Sequence, residues 1–201
     1  MQRNTLGSSV YVFAALALLV SGCAGTVKNM REVPAESVTI APEAGKAMVV
    51  FMRPSGLGFA IQSSVFEIKN NNPALVGIVA AKTKVAYQLD PGEHLFMVVG
   101  ESADFMSANV LPNKTYHALV TPRIGVWKAR FSLKPVHKQE LNTSEFKGWL
   151  DECKWAEKTT ASDSWALGNM DSIQAKQTEY YSKWTAKPEI ERPILFNEDG
   201  I

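Results

Sequence analysis

Between residues 47 and 133, turn-forming residues divide the chain into short apolar or alternating segments. The segment Thr83 to Leu89 is typical, because apolar and polar residues alternate along it and the turn signal Asp90-Pro91-Gly92 follows. Side chains of a strand point alternately to opposite faces, so such a segment predicts a strand with one buried face. The segments are residues 47–53, 62–69, 74–80, 83–89, 93–100, 105–111, 115–121 and 125–133. Seven or eight strands of this kind predict an antiparallel β-sandwich or a small barrel, and we favour the sandwich.

The apolar period changes toward that of a helix after Pro135. Thr143-Ser144-Glu145 can cap a helix that runs to about Lys158, and a second helix is expected from Ser162-Asp163 or Asn169 to about Lys187. Four of the five tryptophans lie in this part of the chain. Packing of these rings across the sandwich is favoured over an aromatic cage for a ligand.

The N-terminus has the features of an export signal. Arg3 precedes an uncharged apolar run from Val10 to Val20, which ends in Val20-Ser21-Gly22-Cys23. As a helix this run rises only about 16 Å, whereas a bilayer core of roughly 30 Å needs about 20 residues. The run therefore has the length of a signal-peptide core, although an uncleaved anchor helix followed by a chance cysteine is the alternative.

The four residues that end this run resemble the lipobox of bacterial lipoproteins. The resemblance implies that the sulfur of Cys23 receives a diacylglyceryl group and that the signal peptide is cut before it. Ala24 stands where aspartate often marks retention in the inner membrane, so an outer-membrane protein that faces the periplasm is expected. Two or three acyl chains hold a protein on a membrane more firmly than a single chain does.

These patterns divide the chain into four parts. Residues 1–22 are the predicted lipoprotein signal peptide, and residues 23–46 are a mostly irregular tether with a possible strand near Ser37 to Ile40. Residues 47–135 form the β-sandwich domain, and residues 136–201 form a helical, aromatic-rich extension packed on it. If Cys23 is lipidated, Cys153 has no disulfide partner, and its apolar neighbours favour a buried core residue over a reactive thiol.

The charge balance argues against a nucleic-acid partner. The whole chain has 21 basic and 20 acidic residues, and the predicted signal peptide removes one base, Arg3, and no acid. The remaining 20 of each sign give a formal net charge of zero. Nucleic-acid binders usually have a basic excess, and a neutral chain has no general attraction to anionic lipid.

Residues 47–133 resemble the uncharacterised DUF2846 family of bacterial lipoproteins. The similarity rests on three segments: Val49-Val50-Phe51-Met52-Arg53-Pro54-Ser55-Gly56, Leu89-Asp90-Pro91-Gly92-Glu93-His94 and Asn113-Lys114-Thr115-Tyr116. The second segment is also similar to the turn of β-rich surface modules of the PEGA type. The resemblance implies a β-sandwich on a lipid anchor and implies no activity.

A basic stripe is the best candidate for a recognition surface. Alternation places Lys128 and Arg130 on the face opposite Phe131, while Arg123 lies just before them and Arg53 ends an earlier strand. Together these side chains could bind phosphate, a lipid headgroup or an acidic glycan, although a solvated outer face is the simpler interpretation. No metal or other cofactor is predicted, because His94, His117 and His137 have no partner at metal-ligand spacing.

The sequence thus predicts a non-enzymatic binding or assembly module, attached to the membrane by its lipid, with an envelope protein, lipid or glycan as partner. No catalytic residue is assigned. The alternative is an envelope hydrolase in which the fold brings His94 or His117 together with Glu101 or Asp104.

Overall fold

The computed structural model describes residues 28–123 and 130–201, which form a mainly β structure with two mixed sheets and three α-helices. The predicted signal peptide, Cys23 and Lys128 lie outside the described residues. The strands are β1 (Met30–Val33), β2 (Ala47–Arg53), β3 (Ser63–Lys69), β4 (Asn72–Val79), β5 (Thr83–Leu89), β6 (Gly92–Val99), β7 (Ala103–Val110), β8 (Thr115–Arg123), β9 (Arg130–Pro135), β10 (Lys154–Lys158) and β11 (Ile194–Leu195). The helices are α1 (Ser144–Glu152), α2 (Thr160–Gly168) and α3 (Met170–Thr185). None of the helices in the described ranges is long and apolar enough to cross a bilayer.

The strands form a six-stranded sheet in the order β1-β10-β5-β2-β8-β9 and a five-stranded sheet in the order β11-β7-β6-β3-β4. The prediction of a mainly β fold is confirmed. The prediction of antiparallel sheets with about seven or eight strands is wrong, because the described residues contain eleven strands and three parallel pairs. Strands β2 to β9 correspond to the eight predicted segments. The other three, β1, β10 and β11, are short strands that pair with distant partners, and their local sequence gives no sign of this.

The two sheets share one buried core. Its members come from both sheets, and Phe51 of β2 meets Phe96 of β6 edge to face with ring centroids 5.0 Å apart. A second cluster lies where α1 covers the outer face of the six-stranded sheet, and a third where α2 and α3 cover the five-stranded sheet. In this third cluster Trp184 packs against Phe105, so this tryptophan of the C-terminal part is a packing residue.

The helical predictions are correct at the first cap and wrong further on. The side chain of Thr143 accepts a hydrogen bond from the Phe146 N–H at 3.2 Å, as the capping pattern predicts. The helix does not reach Lys158, since Cys153 is extended and β10 begins at Lys154. Pairing of β10 with β1 and β5 outweighs the local helical pattern. In place of the second predicted helix the structure has two helices, α2 and α3, which meet at Asn169.

The predicted tether contains a strand at a different place from the one expected. Residues 35–37 form a 3-10 helix and the following residues are irregular, so the strand predicted near Ser37 to Ile40 is absent from the structure there. Instead β1 pairs with β10, and Met30 is buried in the shared core. Pairing with a distant strand explains this, because Met-Arg-Glu-Val has no clear alternation of its own.

The register defines two ends of the six-stranded sheet. Arg53 at the end of β2 lies opposite Thr83, and the parallel neighbour β8 ends near it at Arg123; we call this the loop end. Met30 lies opposite Lys158, at the other end, which we call the N-terminal end. The chain therefore enters the domain at the end opposite to the β2–β3 loop.

Candidate functional site

The β2–β3 loop, residues 54–62, exposes large apolar side chains at the loop end. Leu57, Phe59 and Ile61 are 53%, 61% and 42% exposed. Single exposed apolar residues are common, but three within five positions of one loop form a patch of the kind that marks interaction sites. We call these three residues the apolar tip.

Arg53 holds this loop in place from below. Its guanidinium is buried and donates hydrogen bonds to the carbonyl oxygens of Ile61 at 2.6 Å, Leu57 at 2.7 Å and Gly58 at 2.8 Å. The same group lies over the ring of Phe131, 4.7 Å from its centroid. Arginine suits this position because its planar fork presents several donors in fixed directions. The prediction that Arg53 belongs to an exposed basic surface is therefore wrong.

The hydrogen bonds from Arg53 to the loop, which we call the clamp, also depend on the charge of Arg53 and on Gly58. Burial lowers the pKa of Arg53 to about 10, so the group stays protonated at neutral pH and its hydrogen bonds are charge-assisted. Gly58 has a φ of +66°, a left-handed conformation that favours glycine, and this turns its carbonyl toward Arg53. The apolar tip is thus presented by a loop of defined shape.

Arg123 and Arg130 lie directly opposite each other on β8 and β9, at the loop end of the sheet. Arg130 is exposed, and Arg123 has its nearest carboxylate at Asp104, 3.7 Å away. Like charges on facing strand positions repel each other. The structure therefore brings together two of the predicted surface arginines, while Lys128 belongs to the segment that it does not describe.

A cleft of about 580 Å³ opens at the same end, between the end of β8 and α1. Pro54, Leu119 and Trp149 supply apolar surface to it, and an ion pair between Lys82 and Glu152 lies at its border. The loop end thus combines a projecting apolar tip, a neighbouring cleft and two arginines.

The histidines proposed for hydrolysis are engaged elsewhere. His117 is buried against Phe146 on the outer side of the six-stranded sheet, and burial together with the charge of Lys84 lowers its pKa to about 4. His94 is bound at both ring nitrogens, to Glu67 at 2.6 Å and to the carbonyl oxygen of Asp90 at 2.9 Å. Asp104 of β7 pairs with Val98 of β6. Val98 is four residues from His94 along β6, so at 3.3 Å per residue the two positions are roughly 13 Å apart. Glu101 follows the far end of β6.

Glu67 is the buried polar centre that sequence reasoning missed. Its carboxylate accepts hydrogen bonds from His94, from the Tyr87 hydroxyl at 2.5 Å and from Lys69 at 2.9 Å. Burial raises the pKa of Glu67, but these three hydrogen bonds outweigh that effect and lower the pKa to about 2. Burial and the Glu67 carboxylate raise the pKa of Tyr87 to about 12. The group joins β3, β5 and β6, and therefore both sheets. The one available signal was a glutamate between the apolar residues Phe66 and Ile68 of β3.

Two further groups stabilise the structure. Cys153 is buried, and burial raises the pKa of its thiol to about 11, as suits a core residue. The buried carboxylate of Asp199 accepts hydrogen bonds from the Lys138 and Phe196 N–H groups and contacts His137 Nδ1 at 2.9 Å. It fastens the C-terminal segment to the end of β9. Within residues 28–123 and 130–201, no three His, Cys, Asp or Glu side chains are grouped as metal ligands would be.

Comparison with models of known protein families finds no match, and comparison with curated proteins finds none either.

Proposed function

We propose that this protein is a bacterial lipoprotein of the cell envelope, anchored through Cys23, that docks a partner protein at the loop end. In this proposal it lies on the outer membrane, faces the periplasm, and carries a β-sandwich domain like that of the DUF2846 family. We favour binding over hydrolysis because both histidines considered for hydrolysis make structural contacts.

The observation that carries the docking proposal is the clamped apolar tip. In the isolated protein the exposed surface of Leu57, Phe59 and Ile61 contributes no hydrophobic stabilisation. A partner that covers this surface gains roughly 25 cal/mol of binding free energy for each Å² of apolar area removed from water. Arg53 already fixes the loop, so less conformational entropy is lost on binding.

The path of the chain favours a protein over the anchoring bilayer as the partner. From a lipidated Cys23 to the start of β1 at Met30 the chain makes seven residue steps, which span at most about 25 Å. They join the domain at its N-terminal end, and β2 alone places the apolar tip roughly 23 Å further away. In the proposal the domain stands upright on this tether, so that the loop end points away from the membrane and toward a protein partner.

The charges at the loop end define the surface of the partner. Arg123 and Arg130 face each other, and acidic groups placed between them would relieve their repulsion. We therefore expect an apolar pocket with an acidic border, so that the apolar tip contributes affinity and the arginines contribute orientation and association rate.

Site-specific crosslinking in cells tests this surface. A photo-crosslinking amino acid replaces Ala60, which is exposed on the loop, and the same group at Leu167, exposed on α2, is the matched control. We expect one dominant protein adduct from position 60. Phe59→Ser should abolish it, and Arg123→Gln with Arg130→Gln should weaken it, while Leu167→Ser leaves it unchanged.

Every other pattern argues against the proposal. An adduct to phospholipid would make the apolar tip a membrane contact, and an adduct to a second copy of the chain would make it a self-association surface. An adduct that persists in Phe59→Ser, or equal capture from position 167, would remove the apolar tip as the docking site.

The anchor is tested by Cys23→Ala. We expect this variant to lose incorporation of labelled palmitate, to keep its signal peptide and to lose its place in the outer-membrane fraction, because only the thiol can accept the diacylglyceryl group. Cys153→Ala is the matched control, since that thiol is buried. A Cys23→Ala protein that labels and fractionates like the original would rule out lipidation at this residue.

A further inference from the structure

A second cleft, remote from the apolar tip, lies along the C-terminal segment. Strand β11 pairs with the middle of β7, Ile194 opposite Ser107, and between this segment and the end of β9 a cleft of about 800 Å³ opens. Trp184, Pro193 and Phe196 give it an apolar wall, and the exposed Ile190 lies at its border. Its volume is that of a small-molecule site.

Two residues that line the cleft each have a buried side-chain donor without an acceptor among the described residues. Trp184 is 5% exposed, and its buried indole Nε1–H lacks a partner among residues 28–123 and 130–201, as does the buried Nε–H of Arg192. The Arg192 guanidinium lies over the Trp184 ring, 5.4 Å from its centroid. Both atoms are closed off from solvent, so the accessible polar group of Arg192 is the outer part of its guanidinium, on a side chain that is 25% exposed.

We propose that this cleft binds a small amphipathic carboxylate. The carboxylate would pair with the partly exposed guanidinium of Arg192, and the apolar part would lie along Phe196 and Ile190 beside the Trp184 ring. A single negative charge fits better than a phosphate dianion, because Glu189 and Glu191 also line the cleft. Glu189 contacts Arg192 at 3.4 Å and is 93% exposed, so it is a weak partner that the ligand displaces.

Octanoate is the probe, added to the full-length protein with ¹⁵N-labelled tryptophan side chains. We expect saturable binding that shifts the indole N–H resonance of Trp184, which Trp184→Phe identifies by its loss. Arg192→Met should weaken binding roughly tenfold or more, the effect of losing hydrogen bonds to a charged group. Glu189→Gln should strengthen binding, because it removes the competing carboxylate. Arg31→Met, at an exposed arginine of β1, is the matched control and should leave binding unchanged.

Three results would overturn this inference. They are the absence of a saturable shift, octanoate binding to Arg192→Met as tight as to the original protein, and binding of octanol or octylammonium as tight as that of octanoate. Each would show that the carboxylate contact with Arg192 does not form. The cleft shares no residue with the apolar tip, so none of these results bears on docking at the loop end.

Discussion

Replacing Arg53 with alanine should lower the free energy of unfolding by about 3–5 kcal/mol and release the 54–62 loop. The side chain is fully buried and donates to the carbonyl oxygens of Leu57, Gly58 and Ile61. Alanine leaves these oxygens without their donor, removes the contact with the Phe131 ring and opens a cavity. Urea-induced unfolding gives the free energy, and amide hydrogen exchange of the loop gives its local release.

Two further variants separate the clamp from a general effect of charge. Arg53→Lys keeps the positive charge but has one nitrogen in place of the fork, so it should recover only part of the stability. Arg123→Ala removes a partly exposed arginine of the same end and should change stability by less than about 1 kcal/mol. An Arg53→Ala protein within 1 kcal/mol of the original, with its loop amides still protected, would show that Arg53 does not hold the loop.

Turn chemistry is what made the central part of the fold predictable. Gly92 has a φ of +128°, which glycine adopts readily, and it ends the Asp90-Pro91-Gly92 turn between β5 and β6. Local hydrogen bonding likewise identified Thr143 as a helix cap. In both cases the residues that cause the feature lie within four positions of each other, so a single sequence contains the whole cause.

The features that were missed depend on partners far along the chain. Strand β10 forms because Lys154 to Lys158 fits between β1 and β5, and its own residues continue the helical pattern of α1. Arg53 looked like a surface charge because its three acceptors exist only once the following loop has folded back over it. The acceptor role of Glu67 needs Tyr87 and His94, which are 20 and 27 positions away.

Glu67→Gln should lower the free energy of unfolding by about 3 kcal/mol at neutral pH. It should also make that free energy depend less steeply on pH in the acid range. Glu67 uses both oxygens, one toward His94 and the other toward Tyr87 and Lys69. An amide has one acceptor oxygen and no charge, so it cannot accept on both sides, and the hydrogen bonds it keeps are no longer charge-assisted. The side chain is buried, so water cannot replace the lost hydrogen bonds.

The pH dependence follows from the direction of the pKa shift. The folded protein lowers the pKa of Glu67 from 4.5 to about 2, so its stabilising contribution is complete above pH 4.5 and disappears as the pH falls toward 2. The free energy of unfolding should therefore drop across this range in the original protein and drop less in Glu67→Gln. Glu93→Gln, at an exposed position of β6, is the matched control and should keep the original slope. Urea unfolding at a series of pH values measures these slopes. Equal slopes for Glu67→Gln and the original protein would show that folding does not lower the pKa of Glu67.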